Sequence, residues 1–554
     1  MVSFSVLKTL VLQLTICSTV FSGTGNDLDG VGLDHGSSED VLKEQLEDRV
    51  KNKRDVKFID PNLHPEQYPY YFNNHQVEAQ LCKLNSSCPY KDALDTGRCW
   101  GYENGCSDKA SMPGYPVCTK HHQAWARTIE KQEDEFFRIA DFGYVKEMLS
   151  TMTAYCVPQT EGDSLLECTQ YLRHCRVRNL YMDFSNLDSK NSRNRFRQDI
   201  FSAGQLGGHC QLQQEALLAE SAHRSELQSW YGEMNAYVSL DFRIPSSEHC
   251  DIVINKPTYL IKLDAGINMY HHFCDFVNMY ISQHINSTFS TDVYIVMWDT
   301  SGLSYGDFFK TTWRAFSDHP IIPLREWDGK KVCMREGVFT LLPRMQRGFF
   351  YNMPIVPDCS KSGLMRAFSQ HVIHRLGIKQ QGPLQNKIRV TLLARNTKHR
   401  NIVNENQLVK AMKKKKELEV KVVDYSSRNM PFLEQLKITH NTDIFIGMHG
   451  AGLTHLLFQP DWAVIFEVYN CEDPRCYKDL ASLRGIKYIT WTRVSKLEKH
   501  NETNHPSLGV PHAKFTDYAF DVKEFMRILK TGIDHVKNHP KYLEAQQQQP
   551  RDEL

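Results

Sequence analysis

Short apolar runs alternate with amphipathic stretches along the second half of the chain. Runs of strand length occur at 292–297, 388–393, 420–424, 443–447 and 463–466. Between two of them, residues 404–416 space their apolar side chains as a helix does, which is what the crossover between parallel strands requires. Strands that alternate with helices predict α/β layers with parallel sheets.

The pattern changes near residue 250, where a cysteine-rich and aromatic region ends. Most of the 16 cysteines lie between Cys82 and Cys250, in segments that are helical or irregular in character. In an oxidising compartment this density predicts disulfides that brace the N-terminal region, with a connectivity that spacing leaves open. The spacings lack the C-x2-C pairs of zinc knuckles, so we predict no metal there. Cys274, inside an apolar and aromatic stretch, is the predicted buried free thiol.

Both ends of the chain carry targeting patterns. Lys8 precedes an apolar run over 9–21 that is too short to span a bilayer, so residues 1–23 are predicted to be a cleaved signal peptide. The last four residues form a KDEL-type retrieval signal: Arg551, Asp552, Glu553 and Leu554. Together the two ends predict a protein of the endoplasmic reticulum lumen, without a membrane span, that a KDEL-type retrieval receptor recognises.

Composition bounds the domain organisation. Residues 24–57 hold few large apolar groups and are predicted to be a disordered leader, and the glutamine-rich residues 543–554 a flexible tail. Between them we predict a first domain over 58–384, whose cysteine-rich part is 82–250, and a second over 385–512, followed by closing helices over 513–542.

Charge and glycosylation motifs add two constraints. The chain has 66 basic and 65 acidic residues, and a net charge of +1 gives no sign of a nucleic acid or an anionic membrane as a partner. Three sequons begin at Asn85, Asn286 and Asn501 and are candidate glycosylation sites, which would then lie at the surface.

The sharpest chemical signal is the stretch TDIFIGMHGAGLTH over residues 442–455. It has the pattern of a buried strand, a glycine turn and an apolar helix start. Glycines let a backbone approach a phosphate, and free N–H groups at a helix N-terminus stabilise its negative charge. The motif is neither a Walker loop nor G-x-G-x-x-G. We predict a phosphate-binding turn; the alternative is an ordinary strand-to-helix turn. The residues of the predicted phosphate-binding turn are His449, Gly450, Ala451, Gly452, Leu453 and Thr454.

Two other strand ends add polar groups. Arg395 and Arg400 follow the strand 388–393 at the edge where open α/β sheets bind ligands, and arginine can grip a phosphate with two hydrogen bonds. Glu467 follows the strand 463–466, in a position to accept hydrogen bonds from ribose hydroxyls. With the glycine turn these side chains predict a nucleoside-diphosphate pocket, while Arg400 and Glu467 also fit purely structural roles.

A third cluster lies upstream, in NMYHHFCD over residues 268–275. On a helix His271 and Asp275 are four residues apart and share a face with Asn268, whereas His272 points away. A carboxylate that orients an imidazole raises its basicity, so the pair is a candidate general base. The alternatives are a metal site, which adjacent histidines disfavour, and a structural network.

These stretches resemble glycosyltransferase family 61. The resemblance rests on residues 268–275, 292–300, 389–404, 448–455 and 466–473, with further matches at 99–102 and 140–144, and it extends over nearly the whole chain from about Pro65. It implies an α/β fold of the GT-B type, with two Rossmann-like domains, and an inverting reaction.

The resemblance also implies a function. N-acetylglucosamine would pass from UDP-N-acetylglucosamine (UDP-GlcNAc) to serine or threonine hydroxyls of folded EGF-like domains of secreted and membrane proteins. Arg395, the glycine turn and Glu467 would belong to a donor site in the second domain, and Asn268, His271 and Asp275 to the catalytic face of an acceptor-side first domain. The alternative from another class is an inactive lumenal protein that binds EGF repeats as a chaperone does.

No cofactor is expected beyond the donor substrate. Many enzymes that use nucleotide sugars hold a divalent cation with Asp-x-Asp, and the only such triplet of this chain, at 27–29, lies in the predicted leader. We therefore expect that a divalent cation is not essential and that arginine and helix-end N–H groups neutralise the diphosphate.

Overall fold

The computed structural model describes residues 58–244, 247–303, 306–351, 356–384 and 386–548. Contacts divide the chain into two units, and the described residues belong to the second, which begins at residue 57. The predicted signal peptide, the predicted leader and the retrieval signal lie outside the described residues.

Helices and strands alternate along this part of the chain. The α-helices are α1 (Tyr68–Asn74), α2 (Gln76–Leu84), α3 (Ile129–Ala140), α4 (Phe142–Ser150), α5 (Gln214–Ala219), α6 (Tyr231–Met234), α7 (Met269–Ile285), α8 (Gly363–Arg375), α9 (Glu405–Lys413), α10 (Phe432–His440), α11 (Cys476–Arg484), α12 (Val522–Asn538) and α13 (Pro540–Gln548). The strands are β1 (Val117–Cys118), β2 (Thr153–Val157), β3 (Leu165–Cys168), β4 (Cys175–Asp183), β5 (Leu206–Gly208), β6 (Gln211–Leu212), β7 (Tyr237–Ser239), β8 (Ile252–Ile254), β9 (Thr258–Ile261), β10 (Tyr294–Met297), β11 (Ile322–Pro323), β12 (Lys331–Phe339), β13 (Cys359–Ser360), β14 (Ile388–Leu393), β15 (Leu418–Val423), β16 (Ile444–Gly447), β17 (Val464–Glu467), β18 (Lys487–Thr490), β19 (Leu497–His500) and β20 (Asp517–Phe520).

A five-stranded parallel sheet forms the core of the C-terminal half. Its strand order is β15-β14-β16-β17-β18. Numbered along the chain this is 2-1-3-4-5, the doubly wound order whose switch point lies between the first and third strands, here β14 and β16. Every residue of β16 and β17 is buried, as expected for parallel strands that helices cover on both faces.

The hydrophobic pattern predicted this sheet closely. β14 has the predicted bounds, and the ends of β15, β16 and β17 differ from the predicted ones by one or two residues. The predicted crossover helix is α9, which connects the parallel neighbours β14 and β15. The α/β prediction with a parallel sheet is therefore confirmed for this region.

An eleven-stranded mixed sheet occupies the N-terminal part. Its main path is β11-β10-β9-β12-β4-β3-β2-β6, and β5, β7 and β8 pair at its sides. The strands from β11 to β12 run parallel, whereas those from β12 to β6 pair antiparallel. The carboxyl ends of β9, β10, β11 and β12 therefore meet at one edge of the sheet. Helix α7, which follows β9, is buried along nearly its whole length.

The predicted closing helices over 513–542 are only partly helical. Residues Asp517–Phe520 form β20, which pairs with β19, and α12 begins after Asp521. The side chain of Asp521 caps this helix by accepting a hydrogen bond from the N–H of Glu524 at 2.8 Å. Because residues 517–520 form a strand and Asp521 caps the helix, the helix begins later than predicted.

The tail predicted to be flexible from residue 543 is helical as far as Gln548, within α13. Tyr542 of this helix is buried and its ring lies 6.0 Å from that of Trp462. This aromatic contact anchors a segment whose glutamine-rich composition gave no sign of order.

Six disulfides lie among the described residues and brace mainly the N-terminal region, as the cysteine density predicted. They are Cys82–Cys88, Cys99–Cys106, Cys118–Cys359, Cys156–Cys210, Cys168–Cys175 and Cys250–Cys333. Cys274 is buried and free, as predicted, and Cys471 and Cys476 are free as well.

The surface features of the described part agree with two further expectations. Asn501 is exposed, and Asn85 and Asn286 are half-buried. Among the described residues, no helix combines the length and apolar character needed to cross a membrane.

Candidate active site

A cavity of about 730 Å³ opens at the carboxyl ends of β14, β15 and β16, at the switch point of the parallel sheet. Its walls include residues 393–397 after β14, residues 424–429 after β15, and Ala451 and Gly452 after β16. An apolar wall is formed by Ile267, Met269, Phe308 and Phe309, and Gln435, Met448 and His455 complete the lining. This switch-point cavity therefore lies where the parallel sheet faces the first turn of α7.

The glycine turn borders this cavity. Gly450 has φ 155°, and a Cβ atom on it would lie 2.5 Å from Nη1 of Arg395. A Cβ atom on Gly452 would lie 2.6 Å from Cδ2 of Leu393. A Cβ atom at either position would force the side chain of Arg395 or Leu393 to move, so glycine suits both positions. A 3-10 helix, Ala451–Phe458, follows the turn in place of a regular α-helical start.

Two arginines converge on the turn. The carbonyl oxygen of His449 accepts hydrogen bonds from Nη1 of Arg400 at 2.9 Å and from Nη1 of Arg395 at 3.4 Å. Neither arginine forms an ion pair with a carboxylate in the described part of the chain. Burial, aided by the neighbouring charge of Arg400, lowers the pKa of Arg395 to about 10. Arg395 lines the cavity, so its charge is available to an anionic ligand.

Glu467 was expected to contact the ribose hydroxyls of a ligand, but its side chain is turned into the protein. It is fully buried, and one carboxylate oxygen lies 2.8 Å from Nδ1 of His449. The other oxygen accepts a hydrogen bond from the hydroxyl of Tyr488. Because both carboxylate oxygens are engaged inside the protein, Glu467 orients the imidazole of His449 and does not itself reach a ligand. Leu453 and Thr454 are also buried and lie outside the cavity lining.

His271 pairs with Asp264, and the predicted pairing with Asp275 is wrong. Nδ1 of His271 lies 2.8 Å from Oδ2 of Asp264. Arg344 holds the same carboxylate with Nε at 2.8 Å and Nη2 at 3.0 Å. Burial opposes the ionisation of Asp264, but the hydrogen bonds from His271 and Arg344 outweigh it and hold the pKa of Asp264 below its usual range. With Nδ1 facing Asp264, Nε2 of His271 is the nitrogen that can accept a proton.

His272, which was expected to point away, forms a buried network. Its Nδ1 lies 3.2 Å from Oδ2 of Asp275 and its Nε2 lies 3.1 Å from Oδ1 of Asp307. Burial disfavours the imidazolium, yet the two carboxylates raise the pKa of His272 to about 9, while burial raises that of Asp275 to about 6. A spacing of three residues also brings helical side chains together, which is why Asp275 meets His272. Asp275 is thus sequestered and, through His272, holds Asp307.

Asn268 is the N-cap of α7. Its Oδ1 accepts a hydrogen bond from the N–H of Tyr270 at 3.1 Å, so this atom serves the helix end. The ring of Tyr270 lies 6.0 Å from that of Tyr477, which in turn lies 5.2 Å from the ring of His449. One aromatic residue therefore joins the first turn of α7 to the glycine turn, and the two clusters predicted separately form one site.

Two residues of this site, Asp264 and Arg344, were not predicted from the sequence. Asp264 comes shortly after β9, so the strand-end argument that selected Arg395 would also have selected it. Arg344 lies 73 residues after His271, and no local pattern connects the two. Only the approach of β9 and β12 in the sheet brings Arg344 to the carboxylate.

Comparison with protein families gives one match. The family model described as Glycosyltransferase 61 matches residues 269–466. This range begins at the first residue of α7 and ends one residue before the end of β17. It therefore includes His271, both arginines and the glycine turn.

The chain is also similar to proteins named EGF domain-specific O-linked N-acetylglucosamine transferase. The one from Canis lupus familiaris is 54% identical over 87% of this chain and 90% of its own length. The one from Gallus gallus is 54% identical over 87% of this chain and 91% of its own. The one from Drosophila melanogaster is 45% identical over 88% of this chain and 94% of its own.

Proposed function

Since this chain belongs to glycosyltransferase family 61, we propose that it transfers N-acetylglucosamine from UDP-GlcNAc to serine or threonine hydroxyls of folded EGF-like domains. The observation that carries the proposal is that the first turn of α7, which borders the cation-lined switch-point cavity through Met269, also bears His271, paired with Asp264. One side has the groups that a nucleoside diphosphate needs, and the other has a base for a hydroxyl.

The switch-point cavity suits the donor. Its volume of about 730 Å³ is within the range of sites for small-molecule ligands. Arg395 supplies a fixed cation that no carboxylate of the described residues neutralises, and Ala451 and Gly452, at the start of the 3-10 helix, line the same cavity. The diphosphate would lie along the glycine turn, where side chains are excluded and the backbone is accessible.

His271 suits the acceptor. Its Nε2 would take the proton of the serine or threonine hydroxyl as the oxygen attacks the anomeric carbon of the sugar. The bond between that carbon and the diphosphate oxygen breaks, and UDP leaves with the electron pair. Asp264 stabilises the imidazolium that forms, and Arg344 keeps the carboxylate ionised. A single displacement of this kind inverts the anomeric configuration.

The arrangement of the two sheets supports a GT-B type of fold. In that architecture two Rossmann-like domains face each other across the donor. Here the carboxyl ends of β14, β15 and β16 border the cavity from one side, and the first turn of α7, which follows β9, borders it from the other.

Transfer without a divalent cation is part of the proposal. Arg395, Arg400 and the helix-end N–H groups provide the positive potential that a metal would otherwise supply at the diphosphate. EDTA should therefore leave most of the activity. An activity that EDTA abolishes and manganese restores would contradict this point.

We propose the endoplasmic reticulum lumen as the location, on the basis of the N-terminal apolar run and the RDEL terminus. Deletion of residues 551–554 should release an active enzyme into the medium, because the tetrapeptide is an address read by a receptor. Retention of the truncated protein at the wild-type level would show that something else holds it.

A direct assay tests the activity. The purified full chain is incubated with a folded EGF-like repeat and a panel of UDP-sugars, and the product is weighed by mass spectrometry. We expect addition of a single N-acetylhexosamine from UDP-GlcNAc and release of UDP. Binding of the repeat without UDP release would instead identify an inactive EGF-repeat binding protein.

A further inference from the structure

A second cavity, of about 570 Å³, opens at the carboxyl ends of β10 and β11. We call it the basic cavity. Its floor is apolar and consists of Met297, Trp313, Ile321, Pro323 and Leu324. Its charged lining is given by Asp299, Asp307, Lys310, Arg314 and Arg325.

The carboxylates of the basic cavity are already paired. Asp299 forms an ion pair with Arg195 at 3.0 Å. Asp307 accepts hydrogen bonds from Nε2 of His272 at 3.1 Å and from the indole N–H of Trp313 at 2.9 Å. These two acids therefore contribute little free negative charge to a ligand.

The cations of the same cavity are not paired. Lys310, Arg314 and Arg325 are exposed, and none of them forms an ion pair within the described residues. Three unneutralised cations around an apolar floor attract a partner that carries carboxylates and one apolar side chain.

The basic cavity lies beside the proposed reaction site. Arg195, the partner of Asp299, also donates to the carbonyl oxygen of Asp264 at 3.2 Å. Asp307 lines the basic cavity, and the next two residues, Phe308 and Phe309, line the switch-point cavity. A macromolecule that presents a hydroxyl to His271 would therefore extend over the basic cavity.

The rim between the two cavities is apolar and open. Ile267, Leu303 and Phe308 have exposed fractions of 62%, 50% and 51%. Exposed apolar side chains beside a polar and charged opening are typical of protein docking surfaces. They add contact area that a small sugar nucleotide would not use.

We propose that the basic cavity is the docking site for the folded acceptor domain, which inserts an acidic segment with an apolar side chain close to the modified hydroxyl. The proposal rests on the proposed function and specifies how that enzyme would select a folded protein. Contact with a second surface also explains how a short Ser/Thr side chain could be positioned without a long sequence motif.

Charge reversal tests this docking. The double variant Arg314→Glu/Arg325→Glu should raise the KM for a folded EGF-like repeat by about tenfold, because like charges then face the acidic segment. The matched control is Lys415→Glu, an exposed lysine just after α9, which should change KM by less than about twofold. UDP affinity, measured by calorimetry, reports whether the donor site of each variant is intact.

Two further measurements identify the occupant. Acceptors whose carboxylates beside the modified residue are changed to lysine should regain activity with the double variant. A photo-reactive benzoylphenylalanine at Thr311, which lines the basic cavity, should cross-link to the acceptor. Cross-links to a second copy of the chain, or protection by UDP, would overturn the proposal in favour of another occupant.

The outcomes also separate this proposal from the proposed function. An unchanged KM in the double variant, with normal UDP affinity and normal wild-type transfer, refutes the docking site alone. If the wild type binds UDP but transfers nothing, the proposed function fails, and the cross-link at position 311 then decides by itself whether the acceptor docks there.

Discussion

The two sheet edges that meet at the active site hold their charges in opposite ways. At the five-stranded sheet, Arg395 and Arg400 donate to one backbone carbonyl and meet no carboxylate of the described residues. At the mixed sheet, each imidazole near the cavity is paired with a carboxylate: His271 with Asp264, and His272 with Asp275 and Asp307.

The difference fits two proposed roles, anion binding at the first edge and proton transfer at the second. An unpaired, partly buried cation is costly in the free protein, as the lowered pKa of Arg395 indicates, and its cost is recovered when an anion binds. A paired imidazole is already stabilised in the free protein, and the carboxylate fixes which nitrogen is free. In the proposed function, the first edge would bind the donor and the second would take the proton.

The largest expected effect is at the proton-transfer edge. His271→Ala should lower the transfer rate by about a thousandfold, the usual loss for a general base. UDP affinity should stay within about twofold of the wild type, since this residue is not at the diphosphate. A transfer assay on a folded EGF-like repeat, beside calorimetry with UDP, measures both.

The matched control is His223→Ala, an exposed histidine far along the chain from the site. Asp264→Asn should follow His271→Ala, because the amide no longer stabilises the imidazolium. If His271→Ala transfers at a near wild-type rate, the base is another group and the comparison of the two edges fails.

The second effect concerns stability. Asp275→Asn removes the buried one of the two carboxylates that contact His272, and the free energy of unfolding should fall by about 3 kcal/mol. Chemical denaturation measures the change, and the exposed Asp241→Asn variant is the control. A stable Asp275→Asn variant that has lost transfer would return Asp275 to the catalytic role first predicted for it.

The third effect is at the binding edge. Arg395→Ala should weaken UDP binding by about thirtyfold, because a charge-assisted hydrogen bond partly shielded from water is lost. Arg395→Lys keeps the positive charge but loses the planar guanidinium group, so its UDP affinity should lie between those of the wild type and Arg395→Ala. Equal UDP affinities for wild type and both variants would show that the diphosphate binds elsewhere.

The smallest effect is a pH dependence. The carboxylates raise the pKa of His272 from the ordinary 6.5 to about 9. The stabilisation is therefore complete below pH 6.5 and is lost as the pH rises through 9. The difference in unfolding free energy between wild type and His272→Gln should shrink from pH 7 to pH 9.5, on titration curves run in parallel. A constant difference would mean that His272 is neutral in the native protein.

Local sequence determined most of the parallel sheet. The apolar runs and the amphipathic stretch between them fixed β14, α9 and β15, because alternation of buried strands and helices follows from periodicity alone. Strand-end reasoning also found Arg395 and the glycine turn, since carboxyl ends of parallel strands gather at one edge whatever the rest of the fold does. The sequence motif identified the glycines at positions 450 and 452, and the structure shows the close neighbours, the side chains of Arg395 and Leu393, for which they leave room.

Tertiary structure decided which partners the functional side chains have. Helical spacing allowed His271 to face Asp275, but His271 pairs with Asp264, which lies in the loop between β9 and α7, and Asp275 pairs with His272, three residues before it. Arg344 reaches the carboxylate of Asp264 from 80 residues away, and Glu467 is turned inward by His449 and Tyr488. Periodicity states which side of an element a residue occupies. Which charged group lies opposite depends on how loops and strands pack, and the approach of Arg344 to Asp264 depends on the pairing of β9 and β12, which no local pattern encodes.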